Sequence, residues 1–154
     1  MRSSKEIFGI FVFKRGKKYE DIYATLVNKK HIFTNMQELF FLAASIGFKK
    51  HLKENFESGL DIHADYFTPE SMNIFFTMYL NDKQDVDSLN NQEEIKSYLK
   101  NDVVEYAEGG LKYLADKVFI NTWNPNTLSL REDYDDYLED IMVFIKSEND
   151  EDVF

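Results

Sequence analysis

Apolar side chains recur along most of the chain at the spacing of an α-helix. The strongest stripe follows a Ser/Thr-x-x-Gln capping box at residues 34–37 and ends at Gly47, a residue type common at helix C-termini. Its members stand at i, i+3, i+4, i+7 and i+10: Met36, Leu39, Phe40, Ala43 and Ile46. Phe41 and Leu42 widen the apolar arc, so we expect this helix to be buried on most sides and to form the centre of the core.

Two further helices are predicted on either side of it. A modest apolar stripe covers residues 19–28. Thr68-Pro69 begins a stronger helix that extends to Leu80, because threonine caps a helix and proline at its first position loses no needed hydrogen bond. Residues 81–91 are polar and turn-forming, and they predict a long surface loop.

The C-terminal half also has a helical pattern. Residues 93–119 form one helix or two, with Gly109-Gly110 marking either a kink or a place where another backbone approaches closely. A last helix is predicted over residues 131–146, with acidic residues in its first turn. Its apolar face is expected to carry Tyr134, Leu138, Ile141 and Ile145.

Only two short segments have strand character. Residues 7–13 are rich in β-branched and aromatic types, and residues 60–65 alternate apolar and polar positions. The predicted fold is therefore mainly α, a compact single-domain helical bundle over residues 1–147 with a small two-stranded β element. Residues 148–154 are predicted to form a frayed acidic tail.

Composition narrows the class of protein. The 154 residues include no cysteine, which excludes disulfides, Cys-ligated metal sites and cysteine nucleophiles. Phe, Tyr and Trp reach 16%, too many for a disordered chain. The longest apolar run is short, and the first residues do not resemble a secretory signal, so we expect a soluble cytoplasmic domain.

Charge is distributed unevenly along the chain. Residues 1–53 hold 11 Lys and Arg against 4 Asp and Glu, a net charge of +7, whereas residues 54–130 and 131–154 carry −9 and −8. The total of −10 disfavours nucleic acid as a partner on average, although the basic region could face a phosphate backbone if the fold separated the two poles. The simpler interpretation is that the poles neutralise one another, within the domain or across a self-assembly contact.

No catalytic motif emerges from the sequence. Asp61, His63 and Asp65 would share one face of a strand, but their spacing matches no specific metal-ligand signature, and exposed strand positions are usually polar. Glu94-Ile95-Lys96 has the Glu-x-Lys form found in some nucleases, yet it lies in a helical pattern that points the two side chains apart. Nucleophile-elbow and phosphate-loop patterns do not occur in the sequence. We therefore expect no enzyme activity, no metal and no cofactor.

Two blocks resemble a known family. Residues 32–49 resemble the pattern F-x-T-x-x-x-[LV]-x-x-[LF]-A-A-x-[LI]-G-[FY], and residues 104–111 resemble E-x-Y-A-[NE]-[GA]-G-L. Both patterns belong to the dnd system-associated protein 4 (DNA phosphorothioation-associated) family. The resemblance implies an accessory protein encoded beside prokaryotic DNA-modification and phage-defence genes, where small helical subunits accompany SMC-like ATPases and nucleases. The matched blocks contain packing residues, so the resemblance carries over no catalytic residue.

The predicted function is that of a non-catalytic interaction subunit of an antiviral defence complex, docking on a larger ATPase or nuclease. Aromatic residues beyond the needs of a small core favour a protein interface. The candidate partner-binding residues are Phe40, Phe41, Tyr106, Gly109 and Gly110. Two alternatives stay open: DNA contact through the basic residues Lys14, Arg15, Lys17 and Lys18, or an acidic DNA mimic acting as an antitoxin-type inhibitor.

Overall fold

A computed structural model describes residues 11–153 of the chain, with positions 65 and 151–153 described by their backbone alone. It is mainly helical and contains two small two-stranded antiparallel sheets, which confirms the predicted fold class. The first sheet pairs β1 (Val12–Gly16) with β2 (Ser58–His63).

This sheet is the β element that the sequence predicts, with its first strand shifted toward the C-terminus. Phe13 lies opposite Ile62 and Lys14 opposite Asp61, and the pairing is irregular between Lys14 and Gly16. The basic residues after Phe13 continue the strand because alternate side chains point to solvent and to the core. Residues 7–10 of the predicted strand lie outside the described residues.

The central helix forms where the sequence places it. After α1 (Glu20–Tyr23), which continues as a π-helical turn over Ala24–Lys29, α2 extends over Met36–Lys49. Its cap is Asn35 and not Thr34: the Asn35 side chain accepts a hydrogen bond from the Glu38 amide at 3.0 Å. The Glu38 carboxylate in turn accepts from the Thr34 amide at 3.0 Å, so the capping box is shifted by one residue.

The next three helices follow in sequence order. Thr68 caps α3 (Pro69–Lys83), as predicted, by accepting from the Ser71 amide at 3.1 Å. A 3₁₀ turn covers Val86–Asn90. One continuous helical stretch then extends to Val118, and it consists of α4 (Gln92–Tyr98) and α5 (Val104–Tyr113), each followed by a π-helical turn. The glycine pair therefore lies inside a continuous helix.

The C-terminal region differs from its prediction at both ends. The strands β3 (Trp123–Asn124) and β4 (Ser129–Leu130) form a small hairpin, and α6 covers Tyr137–Val153. The predicted start at Arg131 is wrong, because the Tyr137 hydroxyl donates to the Arg131 carbonyl at 2.6 Å and holds the preceding residues in a turn. The helix also continues past residue 147, where the sequence predicts a frayed tail.

The core is aromatic. Phe13, Phe40, Phe67 and Phe75 stack edge-to-face or tilted, with ring centroids 5.0 to 6.1 Å apart. Edge-to-face pairs contribute beyond the burial of their area. This cluster joins β1, α2 and α3. The helices α2 and α5 make the most extensive contact of the fold.

Candidate interaction surfaces

The partner-binding residues predicted from the sequence belong to the interior of the chain. Phe40 is fully buried, and Phe41 packs its half-buried ring against Phe75 at 5.8 Å. Tyr106 is buried against Phe48 and donates a hydrogen bond to another helix. These aromatic rings are therefore used to hold the fold together, and only Phe41 retains partial exposure.

The glycine pair marks a helix crossing. A Cβ atom at Gly109 would lie 2.6 Å from the Leu52 carbonyl carbon, and one at Gly110 would lie 2.6 Å from that of Ala43. From the other side, a Cβ atom at Gly47 would lie 2.7 Å from the Tyr106 carbonyl carbon. The close approach that the sequence suggested is therefore intramolecular, between α5 and the region of α2.

A carboxylate shared by two tyrosines ties α3 to the α4–α5 stretch. Tyr98 and Tyr106 donate hydrogen bonds to the same Asp82 oxygen at 2.7 and 2.8 Å. Burial and the Asp82 carboxylate both raise the pKa of each phenol, so both tyrosines stay protonated donors. Lys53 lies over the Tyr106 ring at 4.7 Å and covers this site.

The basic cluster predicted for DNA contact is divided by the fold. Lys14 is paired with Asp61 at 2.6 Å, and Arg15 is only 4% exposed. The Arg15 guanidinium binds Glu20 through two nitrogens and stacks over the Tyr23 ring at 4.4 Å. This burial leaves Arg15 unavailable to a phosphate backbone. Lys17 and Lys18 remain exposed at the end of β1.

Much of the remaining basic region pairs with acids from later in the chain. The ion pairs join Lys29 to Glu132, Lys30 to Asp135, Lys50 to Glu148 and Lys53 to Asp102. The structure therefore brings the two charge poles of the sequence together within one domain, the simpler of the two interpretations that the charge distribution left open. Pairing of this kind lowers the net field that a basic face would present to nucleic acid.

A buried acid lies beneath the end of β1. Glu108 is 2% exposed, its carboxylate lies against the backbone of Gly16, and neither of its oxygens has a side-chain hydrogen-bond partner among the described residues. Burial raises the pKa of this carboxyl to about 7, and the nearby Glu20 carboxylate adds to the effect while Arg15 opposes it. The Tyr23 hydroxyl is also buried and unpartnered in the described part of the chain, and burial raises its pKa well above the ordinary value. The sequence patterns did not indicate that Glu108 and Tyr23 would be buried.

The other sequence candidates for chemistry do not converge. Asp61 pairs with Lys14, and this partner lowers the pKa of the Asp61 carboxyl. Glu94 lies in α4 and pairs with Lys83 at 3.6 Å. The side chain of Asp65 lies outside the described part of the structure, and among the side chains that are described no group of three or more His, Asp and Glu is placed to hold a metal ion. Within residues 11–153, no helix is both long enough and apolar enough to cross a membrane.

The last helix presents an apolar stripe to solvent. The residues that face the body of the protein are Tyr137, Ile141, Phe144 and Glu148, at i, i+4, i+7 and i+11. Leu138, Met142 and Ile145 are instead 49, 60 and 39% exposed. We call these three residues the α6 stripe. The predicted apolar face included Leu138 and Ile145, which is wrong because α6 is rotated to bury Tyr137 and Phe144.

The rotation of α6 is set by contacts on its buried face. Tyr137 packs edge-to-face on Phe119 at 5.5 Å, and Phe144 packs on Tyr113 at 5.7 Å. At the far end the Glu148 carboxylate pairs with Lys50 at 3.0 Å. These anchors leave the α6 stripe about half exposed among the described residues. The signal in the sequence was the continuous apolar run at residues 141–145, which is too broad for one buried face.

Comparison with known proteins gives one finding. A family model described as DNA sulphur modification system-associated protein 4 matches residues 13–153 of the 154-residue chain. The match covers nearly the whole chain, including both blocks that resembled the family in the sequence. No curated protein and no solved structure matches the chain.

Proposed function

The chain belongs to the DNA sulphur modification system-associated protein 4 family, and from this membership we propose that it is a non-catalytic accessory subunit of a DNA-modification or defence complex. In this proposal it docks on a larger subunit, an ATPase or a nuclease. The family match supports the association with such a system. The docking mode rests on the α6 stripe.

The α6 stripe has the spacing of a helix that docks in a groove. Leu138, Met142 and Ile145 stand at i, i+4 and i+7, the anchor pattern of amphipathic helices bound to apolar grooves. Fully burying a Leu, Ile or Met side chain contributes roughly 1.5–3 kcal/mol. These three side chains are 39–60% exposed, so covering them would supply about half of that each. Three neighbouring exposed apolar side chains on one helix face favour a protein interface over a surface that faces only solvent.

The charge of α6 specifies the chemistry of the partner. Residues 137–153 contain six acidic residues and one lysine, a net charge of −5. A partner groove with apolar walls and a basic rim would complement both features, since opposite potentials across an interface favour encounter and exclude wrong partners.

The matched family blocks support a scaffolding role. Both contribute to the crossing of α2 and α5, where Gly47, Gly109 and Gly110 bring backbones together. Their residues hold a rigid framework on which α6 is anchored. In this proposal the framework presents α6 as a preformed helix, which lowers the ordering cost of binding.

The proposal is tested by co-purification from the native host with the neighbouring defence genes expressed. Tagged wild-type protein is expected to retain a larger subunit, and Met142→Asp is expected to reduce its recovery at least tenfold. Val86→Asp is the matched control, because Val86 is an exposed apolar residue, 74% against 60% for Met142, on the 3₁₀ turn after α3. Circular dichroism and thermal unfolding verify that both variants fold. Undiminished recovery with Met142→Asp, or no larger partner with wild type, contradicts the proposal.

A further inference from the structure

A second surface with exposed apolar residues lies at the end of β1. A groove of about 460 Å³ is bounded by the end of β1, by α1, by β2 and by the turn between β3 and β4. Leu60 and Leu128 lie on its walls, and Met36 from the start of α2 also lines it. We call this the β1 groove.

Both leucines of the β1 groove are held out of the core. Leu60 is 63% exposed although it belongs to a strand. Leu128 has a φ of 52°, a left-handed conformation that is unusual for a bulky residue and costs free energy. The Asn124 side chain fixes the turn by accepting from the Asn126 amide at 2.9 Å. The turn therefore keeps a large apolar side chain at the edge of the groove.

The lining of the β1 groove carries a net charge of +1, from Arg15, Lys17 and Lys18 against Glu20 and Asp21. Glu20 is paired with Arg15, whereas the Asp21 carboxylate accepts from the neutral Leu130 amide at 2.7 Å and keeps its negative charge. Lys17 and Lys18 are exposed and form no ion pair with any described side chain, and the Lys18 ammonium lies over the Tyr19 ring at 5.5 Å. The groove thus combines apolar walls with two ammonium groups that have no described carboxylate partner, beside the Asp21 carboxylate.

The α6 stripe has the complementary character. Glu139, three residues before Met142, and Asp150, five residues after Ile145, are exposed on α6, and no described cation pairs with either carboxylate. Lys146 is the one basic residue of this helix. Contact between two α6 stripes would place the acidic residues of one α6 near those of the other. Contact with the β1 groove would instead place these acidic residues near Lys17 and Lys18.

We propose that the β1 groove of one copy binds the α6 stripe of a second copy of this chain. The inference rests on the proposed function insofar as α6 is the docking helix there too. Because the contact joins two different surfaces, a pair of copies held by one such contact leaves one stripe and one groove free. The free stripe remains available to a larger subunit.

The test uses the purified full chain in sedimentation velocity over a concentration series, with one variant for each surface. Wild type is expected to self-associate, while Leu60→Asp and Met142→Asp are each expected to be monomeric. An equimolar mixture of the two variants is expected to give a 1:1 complex, because one contributes an intact stripe and the other an intact groove. Val86→Asp is the matched control and is expected to associate as wild type does.

Several outcomes overturn the proposal. A monomeric wild type, or a mixture that stays monomeric, excludes the contact. Association of Leu60→Asp alone shows that the stripe binds another α6. A charge test uses two double variants. Lys17→Glu with Lys18→Glu is expected to weaken association about tenfold. Mixing this variant with a second copy that carries Glu139→Lys and Asp150→Lys is expected to restore association.

The two proposals fail in different ways. Leu60→Asp is expected to lose self-association and to keep the larger subunit in co-purification. If wild type self-associates but retains no larger subunit, the proposed function is wrong and the self-contact stands. If wild type retains a larger subunit but is monomeric when purified alone, the self-contact is wrong and the proposed function stands.

Discussion

Gly110 lies so close to Ala43 that the two helices meet backbone to backbone. A Cβ atom added at Gly110 would overlap the Ala43 carbonyl oxygen and lie 2.6 Å from its carbon. Both atoms belong to rigid helical backbone, so the contact cannot be relieved by turning a side chain. The separation of α2 and α5 is therefore fixed by the absence of a side chain at this position.

Gly110→Ala is expected to destabilise the protein, although alanine is the better helix former. Helix propensity alone predicts a gain of about 1 kcal/mol. Forcing the helices apart loosens the core between them, and overpacking of this kind costs typically 1–3 kcal/mol or more. Urea unfolding measures the net effect. Lys112→Ala, an exposed substitution on the same helix, is the control and is expected to change stability little. A Gly110→Ala protein as stable as wild type would show that the crossing is not tight.

The sequence predicted this close approach but not what it joins. A glycine pair inside a helical pattern can serve a kink, a contact within the chain or a contact with a partner, and all three leave the same local signal. The choice is decided by Leu52 and Ala43, which are distant in sequence and reach Gly109 and Gly110 only in the folded protein. The burial of Glu108 could not be predicted for the same reason, because it depends on β1 and α1, which are distant in sequence.

Glu108 is expected to make the protein less stable as pH rises. Its folded-state pKa of about 7 lies above the ordinary value of 4.5, so the unfolded chain ionises first and ionisation favours unfolding. This contribution is absent below about pH 4.5, grows as pH rises to 7, and is constant above that. Its full size is about 3 kcal/mol, taking about 1.4 kcal/mol per pKa unit.

Glu108→Gln removes the ionisation and is expected to be more stable than wild type at pH 8, while differing little near pH 4.5. Urea unfolding at both pH values measures the difference. Glu93→Gln, with a highly exposed side chain on α4, is the matched control and is expected to show no such pH dependence. A constant difference between wild type and Glu108→Gln across this range would show that Glu108 is ionised in the folded protein.

Asp82 is expected to be coupled to both tyrosines that bind it. Asp82→Ala leaves the buried Tyr98 and Tyr106 hydroxyls without their acceptor and is expected to cost about 1–2 kcal/mol. In a Tyr98→Phe, Tyr106→Phe background the same change is expected to cost much less, because no donor is left unsatisfied. Asp87→Ala, on the nearby 3₁₀ turn, is the control. Equal costs in both backgrounds would show that the shared hydrogen bonds do not contribute to stability.

The rotation of α6 shows where periodicity stops being informative. The run of five apolar residues at 141–145 offers more than one face that can be buried, and spacing alone cannot choose between them. The choice is made by Phe119 and Tyr113, which accept the rings of Tyr137 and Phe144. The existence of the helix was predictable from local pattern, whereas its exposed stripe depended on partners elsewhere in the chain.

Neighbouring alanine substitutions on α6 test this rotation directly. Ile141→Ala removes a buried side chain and is expected to cost 2–5 kcal/mol, whereas Met142→Ala is expected to stay within about 0.5 kcal/mol of wild type. Alanine favours the helix at both positions, so the difference reports burial and not helix propensity. Urea unfolding of the two variants in parallel measures it. If Met142→Ala were the more costly change, Met142 would be covered within the folded chain, and the α6 stripe would not be free to bind a partner.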